Sequence, residues 1–329
     1  MTTSPVGVAL VAGASRGLGL LVSTELARRG YRVHGCGRDG ESLDRAAAIV
    51  AARSGRTGEG GASPFVPAVC DVRDADAVQD WVEAVIRDEG GIDVAIHVAG
   101  IIQVAPLESV TLGHVREAVD TMLMGPVHLS LAVLPSMRER RTGHIGIVSS
   151  IGGAVSVPRL LPYSVAKFGA VGLAEGLAAE LQGTGVTATA VLPGLMRTGG
   201  HLAAEFAGDA PADYAWFAPG ASLPVVSIDA ERAASRIVDG VLAGKPQVEL
   251  TPLAIIGRRV HGLAPGLTTR VLGLVARALP DGPGRGPGMS DATPGVTGAT
   301  ARGRLGSRVV NGLSTLGDRA ARRNNEPGA

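Results

Sequence analysis

Short apolar runs alternate with longer amphipathic ones from Val8 to Leu250, and nothing else in the chain restricts its fold as strongly. The run Val8–Ala12 leads into a glycine-rich turn and then the helical pattern LLVSTELARRG, which Gly30 ends. The same rhythm follows through YRVHGCG, ESLDRAAAIVAAR, FVPAVCDV and ADAVQDWVEAVIRDEG, with a Gly/Ser-rich loop at 54–64. Further strand-like runs are IDVAIHVAG, HIGIVSS, VTATAVLPG and Gln247–Leu250, with a long helical stretch reaching about Arg141. Strands this short, separated by helices this long, require crossover connections. The expected product is a parallel sheet covered by helices on both faces. His201–Val226 interrupts the rhythm with prolines and the cluster YAWFAPG. A connection that long inside a compact unit reads as a lid over a site.

Composition changes beyond Thr251, which divides the chain into an expected catalytic domain at 1–250, a helical extension at 251–281 and a tail at 282–329. The extension is amphipathic, with Leu267, Val271, Leu274, Val275 and Ala278 on one face and Arg270 and Arg277 opposite. That apolar face is expected to dock against the sheet edge or the lid. The tail is rich in Gly, Pro, Ser, Thr and Arg and reads as flexible and mostly disordered. From Thr251 on, eleven arginines face four acids, a net +7, and twenty basic against twenty-six acidic residues leave −6 for the first 250. Hydrophobic residues at 45% and charged residues at 19% suit a globular chain with ample core. Two cysteines, Cys36 and Cys70, fall in apolar strand-like runs and suggest reduced, buried thiols rather than a disulfide framework. The N-terminus lacks a secretory pattern, and no stretch reads as a spanning helix, so the cytoplasm is the expected location. No metal site is expected. The basic residues lack interleaved aromatics, which argues against a nucleic-acid partner.

Two local patterns carry chemistry. The first strand runs into AGASRGLG, spacing Gly13, Gly17 and Gly19 so that backbone N–H groups can approach a pyrophosphate at a helix N-terminus. Between a first strand and a first helix, this pattern points to a dinucleotide site in a Rossmann-type doubly wound α/β fold. The second pattern is PYSVAK, which places Tyr163 and Lys167 one helical turn apart on one face. An ammonium beside a phenol favours the phenolate, moving a tyrosine from about pH 10 towards acid–base work near neutrality.

Together these patterns resemble the short-chain dehydrogenases/reductases, over about residues 6–250. That family pairs this glycine spacing with a distant Y-x-x-x-K and a serine upstream of the tyrosine, here Ser150 in VSSIGG. The resemblance implies that Tyr163 exchanges a proton with a carbonyl or alcohol oxygen. It implies that Ser150 hydrogen-bonds that oxygen, and that Lys167 lowers the Tyr163 pKa and holds the nicotinamide ribose. It assigns the cofactor to Gly13, Ser15, Arg16, Gly17, Leu18 and Gly19 in the loop, and to Asp71 and Val72, Ala99 and Gly100, and Pro193, Gly194 and Thr198 at later strand ends, beside Tyr163 and Lys167. Gly37 stands where an NAD-preferring site usually has an acid, while Arg16 and Arg38 supply guanidiniums suited to a 2′-phosphate. NADP(H) is therefore expected over NAD(H).

The chain departs from the family pattern in two places. Met122 occupies the position where an asparagine usually supports a proton relay, and a thioether neither donates nor accepts well. His97 and Val98 replace a pair of asparagines, and His97 is either a rerouted relay member or a satisfied strand-end histidine. These changes leave a non-catalytic NADP(H)-binding regulator or scaffold as an alternative to an enzyme. A membrane-surface reductase of lipid-type substrates, held weakly by the basic C-terminal segment, is a second alternative. Tyr214, Trp216, Phe217 and Leu223 suggest an apolar pocket for a hydrophobic carbonyl or secondary alcohol. The resemblance also implies a homodimer or homotetramer through the Ala/Gly-rich helix AKFGAVGLAEGLAAEL.

Overall fold

A computed structural model describes residues 5–56, 63–224, 227–279 and 295–326. Seven strands form one parallel sheet: β1 (Gly7–Ala12), β2 (Tyr31–Gly37), β3 (Phe65–Val69), β4 (Val94–His97), β5 (Gly143–Val148), β6 (Val186–Leu192) and β7 (Gln247–Glu249). Their order is β7-β6-β5-β4-β1-β2-β3, so the chain reverses direction across the sheet between β1 and β4. All seven are the runs expected from the sequence. Open sheets of this kind bind ligands in the crevice at that reversal, beyond the carboxyl ends of the strands.

Helices α1 (Gly17–Arg28), α2 (Gly40–Ser54), α3 (Ala75–Glu89), α4 (Leu112–Val119), α5 (Gly125–Arg140) and α6 (Leu161–Glu180) connect the strands and cover both faces. One core packs α1 and the later helix α8 (Ala230–Leu242) on one face, with Leu20, Leu26, Val33, Phe65, Ile237 and Val241 buried. The other face buries Trp81, Val85, Leu129, Met137 and Ile145. Between α4 and α5 the helix widens into one π-helical turn, Asp120–Met124. Contrary to the sequence expectation, the combined run Leu112–Arg140 is long and apolar enough, by length and composition, to cross a membrane. It is a core helix here: α5 packs on α3 and α4 packs on α6.

The lid is more regular than expected. Glu205–Phe206 pairs with Gln103–Val104 in a small second sheet, and α7 (Ala210–Gly220) follows. Tyr214 and Phe217 do not line an open pocket but are buried in a separate small core with Val104, Leu160 and Phe206.

The C-terminal region departs furthest from the sequence reading. The extension forms a hairpin of α9 (Pro252–Leu263) and α10 (Pro265–Arg277), but α10 buries none of its residues. The expected docking of its apolar face is absent: Leu267, Val271, Leu274 and Val275 remain 43–62% exposed. The expected flexible tail is ordered over residues 295–326, whereas 282–294 and 327–329 lie outside the described residues. Val296–Thr297 adds an antiparallel strand to Glu205–Phe206, and α11 (Gly298–Leu305), α12 (Arg308–Leu313) and α13 (Thr315–Arg323) follow. Thr297 and Ser307 cap α11 and α12 through their hydroxyls. The buried Ala301 joins the core under the lid, so tail and lid stabilise each other.

Candidate active site

The glycine loop, Ser150 and the strand-end residues assigned to the cofactor follow the carboxyl ends of the sheet strands, and Tyr163 and Lys167 face them from α6. The glycine loop leaves β1 at Gly13, whose φ of +87° suits glycine and whose added Cβ would fall 2.6 Å from the Ala99 Cα. That close crossing sets the loop directly over the end of β4. Arg16 is the extended residue before α1 and has no side-chain cap, leaving the first N–H groups of the helix to another partner. Leu18 is buried beneath the loop, and Gly19 packs against the Gly13 carbonyl.

The other cofactor candidates lie along the same rim. Arg38 is exposed just past β2. Beyond β3, the Asp71 carboxylate is engaged by the Arg73 guanidinium at 2.6 Å, which holds its pKa below the usual range. Val72 is buried, and its carbonyl accepts from His128 Nδ1 at 3.0 Å. Ala99 and Gly100 follow β4, with the Ala99 N–H bonded to the Ala12 carbonyl at 2.9 Å. Past β6, the Pro193 carbonyl accepts from Ile151 N–H at 2.8 Å, next to Gly194. Thr198 turns the chain, its hydroxyl accepting from the Gly200 N–H at 3.2 Å.

Ser150 sits immediately beyond β5, with Oγ accepting from the Gly152 N–H at 3.0 Å. Tyr163 occupies the first turn of α6 and is hydrogen-bonded to Ser150. Lys167 is one turn further on, 4% exposed, and its Nζ donates to the Val148 carbonyl at 2.7 Å. Ser149 Oγ donates to the Lys167 carbonyl at 2.7 Å. Two hydrogen bonds therefore stitch α6 to the end of β5, fixing the serine, tyrosine and lysine in one frame.

The electrostatics differ from the sequence expectation that Lys167 lowers the Tyr163 pKa. Burial pushes the Tyr163 phenol up, and the Ser150 hydrogen bond is the opposing pull. Burial also lowers the Lys167 ammonium to about 7. Desolvation penalises charge on both groups, and it outweighs their mutual attraction when neither faces water or a ligand.

The relay position is apolar. Met122 lies in the π-helical turn, buried with Ala118 and Ala166 and packed beside Tyr163. An added Cβ at Gly100 would fall 3.4 Å from Met122 Sδ and 3.8 Å from Lys167 Nζ, so the thioether borders the lysine. His97 departs from the satisfied strand-end reading. Its Nε2 is buried with no hydrogen-bond partner among the described residues, and burial drops its pKa to about 3.

Sequence reasoning missed that the tail enters this edge. The Asn324 carbonyl accepts from Gly17 N–H at 2.8 Å, and the buried Asp318 contacts His201 Nε2 at 3.1 Å and Arg302 at 3.0 Å. The serine and threonine caps of the tail helices were the available signal.

A profile of the short chain dehydrogenase family matches residues 7–205. A gluconate 5-dehydrogenase of Gluconobacter oxydans is 36% identical over 190 residues, covering 58% of this chain and 71% of that protein. A 3-oxoacyl-acyl-carrier-protein reductase of Haemophilus influenzae is 31% identical over 191 residues, covering 58% of this chain and 74% of the relative. Among solved structures, an actinorhodin polyketide ketoreductase variant with NADPH aligns with a TM-score of 0.65 and 26% identity. That alignment covers 77% of this chain and 99% of the ketoreductase. The family match ends at residue 205, ahead of α7, the hairpin and the tail.

Proposed function

Since the chain belongs to the short-chain dehydrogenase/reductase family, whose members are oxidoreductases of small molecules using a nicotinamide cofactor, we propose that it interconverts a hydrophobic carbonyl and its secondary alcohol with NADP(H). The observation that carries this reading is the placement of Ser150, Tyr163 and Lys167 in one hydrogen-bonded frame beside the glycine loop. The glycine loop, brought close over β4 by Gly13, and the N-terminus of α1 behind it suit a dinucleotide pyrophosphate. The rim residues from Asp71 to Thr198 would hold the remainder. The bound cofactor supplies the hydride.

Within that frame, Ser150 orients the substrate oxygen and Tyr163 holds the proton exchanged with it. Burial keeps Tyr163 protonated in the resting site, the form required to donate during reduction. Arg16 and Arg38, with Gly37 at the end of β2 in place of an acid, support the preference for a 2′-phosphate. Ile102 and Val157, only partly buried beside Tyr163 against the small apolar core, support an apolar substrate. Screening carbonyls and alcohols with NADPH and NADH tests the reading directly. Absence of turnover, with tight NADPH binding retained, would favour the regulator reading instead.

A second reading concerns location and rests on the exposed hairpin. Leu253, Ile256, Val260 and Leu263 of α9 and Leu267, Val271 and Leu274 of α10 are all exposed, and residues 251–279 contain arginines but no acids. Such a surface fits the headgroup region of an anionic membrane, attached to a catalytic domain that otherwise faces the cytoplasm. The homo-oligomer proposed through α6 has its own support: Leu161, Val165 and Phe168 are exposed on that helix, and Gly172 and Gly176 border open space.

A further inference from the structure

The last described residues, 320–326, thread the cleft between the glycine loop and the Thr198 turn, the two segments assigned above to the dinucleotide. The N–H of Gly17, at the start of α1, is bonded to the Asn324 carbonyl at 2.8 Å. Asn325 Nδ2 donates to the Ser15 carbonyl at 2.7 Å, and Asn324 Nδ2 donates to the Thr198 carbonyl at 3.1 Å. The Glu326 side chain is 6% exposed and lies over the loop: its Oε2 is 3.5 Å from Arg16 Nε, and an added Cβ at Gly17 would fall 2.5 Å from its Oε1. One carbonyl and one carboxylate thus occupy the donors that a phosphate group would use.

This placement is built into the fold. Gly199, with a φ of +96°, lets the backbone of Ala321 approach so closely that any Cβ at 199 would collide with it. Asp318 anchors α13 in the interior through His201 and Arg302, and the Val296–Thr297 strand ties the start of the tail to the lid. Burial raises the Glu326 carboxyl to about 7, with Arg16 pulling the other way. At neutral pH the docked tail is therefore a weaker anion than a pyrophosphate, whose charge is permanent. A dinucleotide is the stronger partner for Arg16 and the end of α1.

We propose that the C-terminal segment 314–326 is an intramolecular competitor for the dinucleotide phosphates, so that the chain closes its own nucleotide cleft and NADPH binds by displacing it. The inference rests on the dinucleotide reading of the site. Its consequence is quantitative: apparent affinity falls by the fraction of molecules whose tail is out, and whatever releases the tail restores it.

The test compares the full chain with Ala321→Glu, which crowds the Gly199 contact, and Glu326→Ala, which removes the carboxylate over the loop without touching the core. NADPH dissociation constants and hydrogen exchange of amides 315–326 are measured for each. Both variants should bind NADPH at least fivefold more tightly than the unaltered chain, and NADPH should accelerate exchange in 315–326 of the unaltered chain. Equal or weaker binding by both variants, or slower exchange on adding NADPH, would overturn the competitor role while leaving the nucleotide site standing. Binding of neither NADPH nor NADH by any of the three proteins would overturn the dinucleotide reading, and the competitor with it.

Discussion

The Lys167 Nζ lies over the Tyr163 ring, 5.6 Å from its centre, while donating to the Val148 carbonyl. The lysine is thus anchored to the sheet before any ligand enters, and its position relative to the tyrosine is set by the frame rather than by their charges. Four expectations follow for this site and the surfaces around it.

Tyr163→Phe should leave NADPH binding nearly unchanged and remove almost all turnover, because the ring still packs while the proton donor is lost. A variant retaining more than a tenth of wild-type kcat would rule out the assignment, since such a loss is only about 1.4 kcal/mol in the barrier.

Lys167 should impose a pH-dependent cost on stability. Its pKa falls from 10.5 to about 7 on folding, so the folded protein binds that proton more weakly than the unfolded chain. The penalty is complete below about pH 7 and fades as pH rises towards 10.5. At ~1.36 kcal/mol per pKa unit, it is on the order of a few kcal/mol. Lys167→Met removes the penalty, although it also deprives the Val148 carbonyl of its donor. The Tm of the variant relative to wild type should therefore be more favourable at pH 6 than at pH 9.5. A Tm difference independent of pH would contradict the desolvated lysine.

NADPH should bind at least tenfold more tightly than NADH, and Arg38→Asp should reverse much of that preference. Titrating both nucleotides against both proteins decides it, and equal dissociation constants for the wild type would refute the role given to Arg16 and Arg38.

The α9–α10 hairpin should carry the protein onto anionic vesicles. Leu263→Glu with Leu267→Glu should abolish co-sedimentation with phosphatidylserine-containing liposomes, yet leave Tm unchanged because both side chains are already exposed. If the unaltered chain stays in the supernatant at low ionic strength, the membrane reading fails.

Much of this was legible in the sequence, because β1–β7 are β-rich apolar runs separated by helical periodicity. Tyr163 and Lys167 were legible on one helix face from their spacing, whereas Ser150 was identified through the family resemblance. The pKa directions were not legible. They depend on how completely Met122, Ala118 and Ala166 enclose the pair, and spacing does not report enclosure. The tail was misread for a related reason. Its buried residues, among them Gly298, Ala301, Ser314, Gly317, Ala320 and Ala321, are too small to produce an apolar stripe, and its anchor is the polar residue Asp318. A composition that looks unable to pack succeeds here through close backbone approach and buried hydrogen bonds. The hairpin failed in the opposite sense: Leu267, Val271 and Leu274 form a clear stripe, but no surface among the described residues covers it.

The order of segments along the chain gives the tail a role in time as well as in space. Synthesis completes the sheet at Glu249, whereas the residues that enter the nucleotide cleft are Asn324 to Glu326. At ~5–20 residues per second, roughly 4–15 s separate the two events on the ribosome. During that interval the nascent sheet meets the cell's dinucleotide pool with its cleft open, so the first occupant is decided by nucleotide concentration. Refolding from denaturant releases both segments together and removes that head start. Protein refolded without nucleotide and protein made in its presence would then begin from different occupancies of the same cleft.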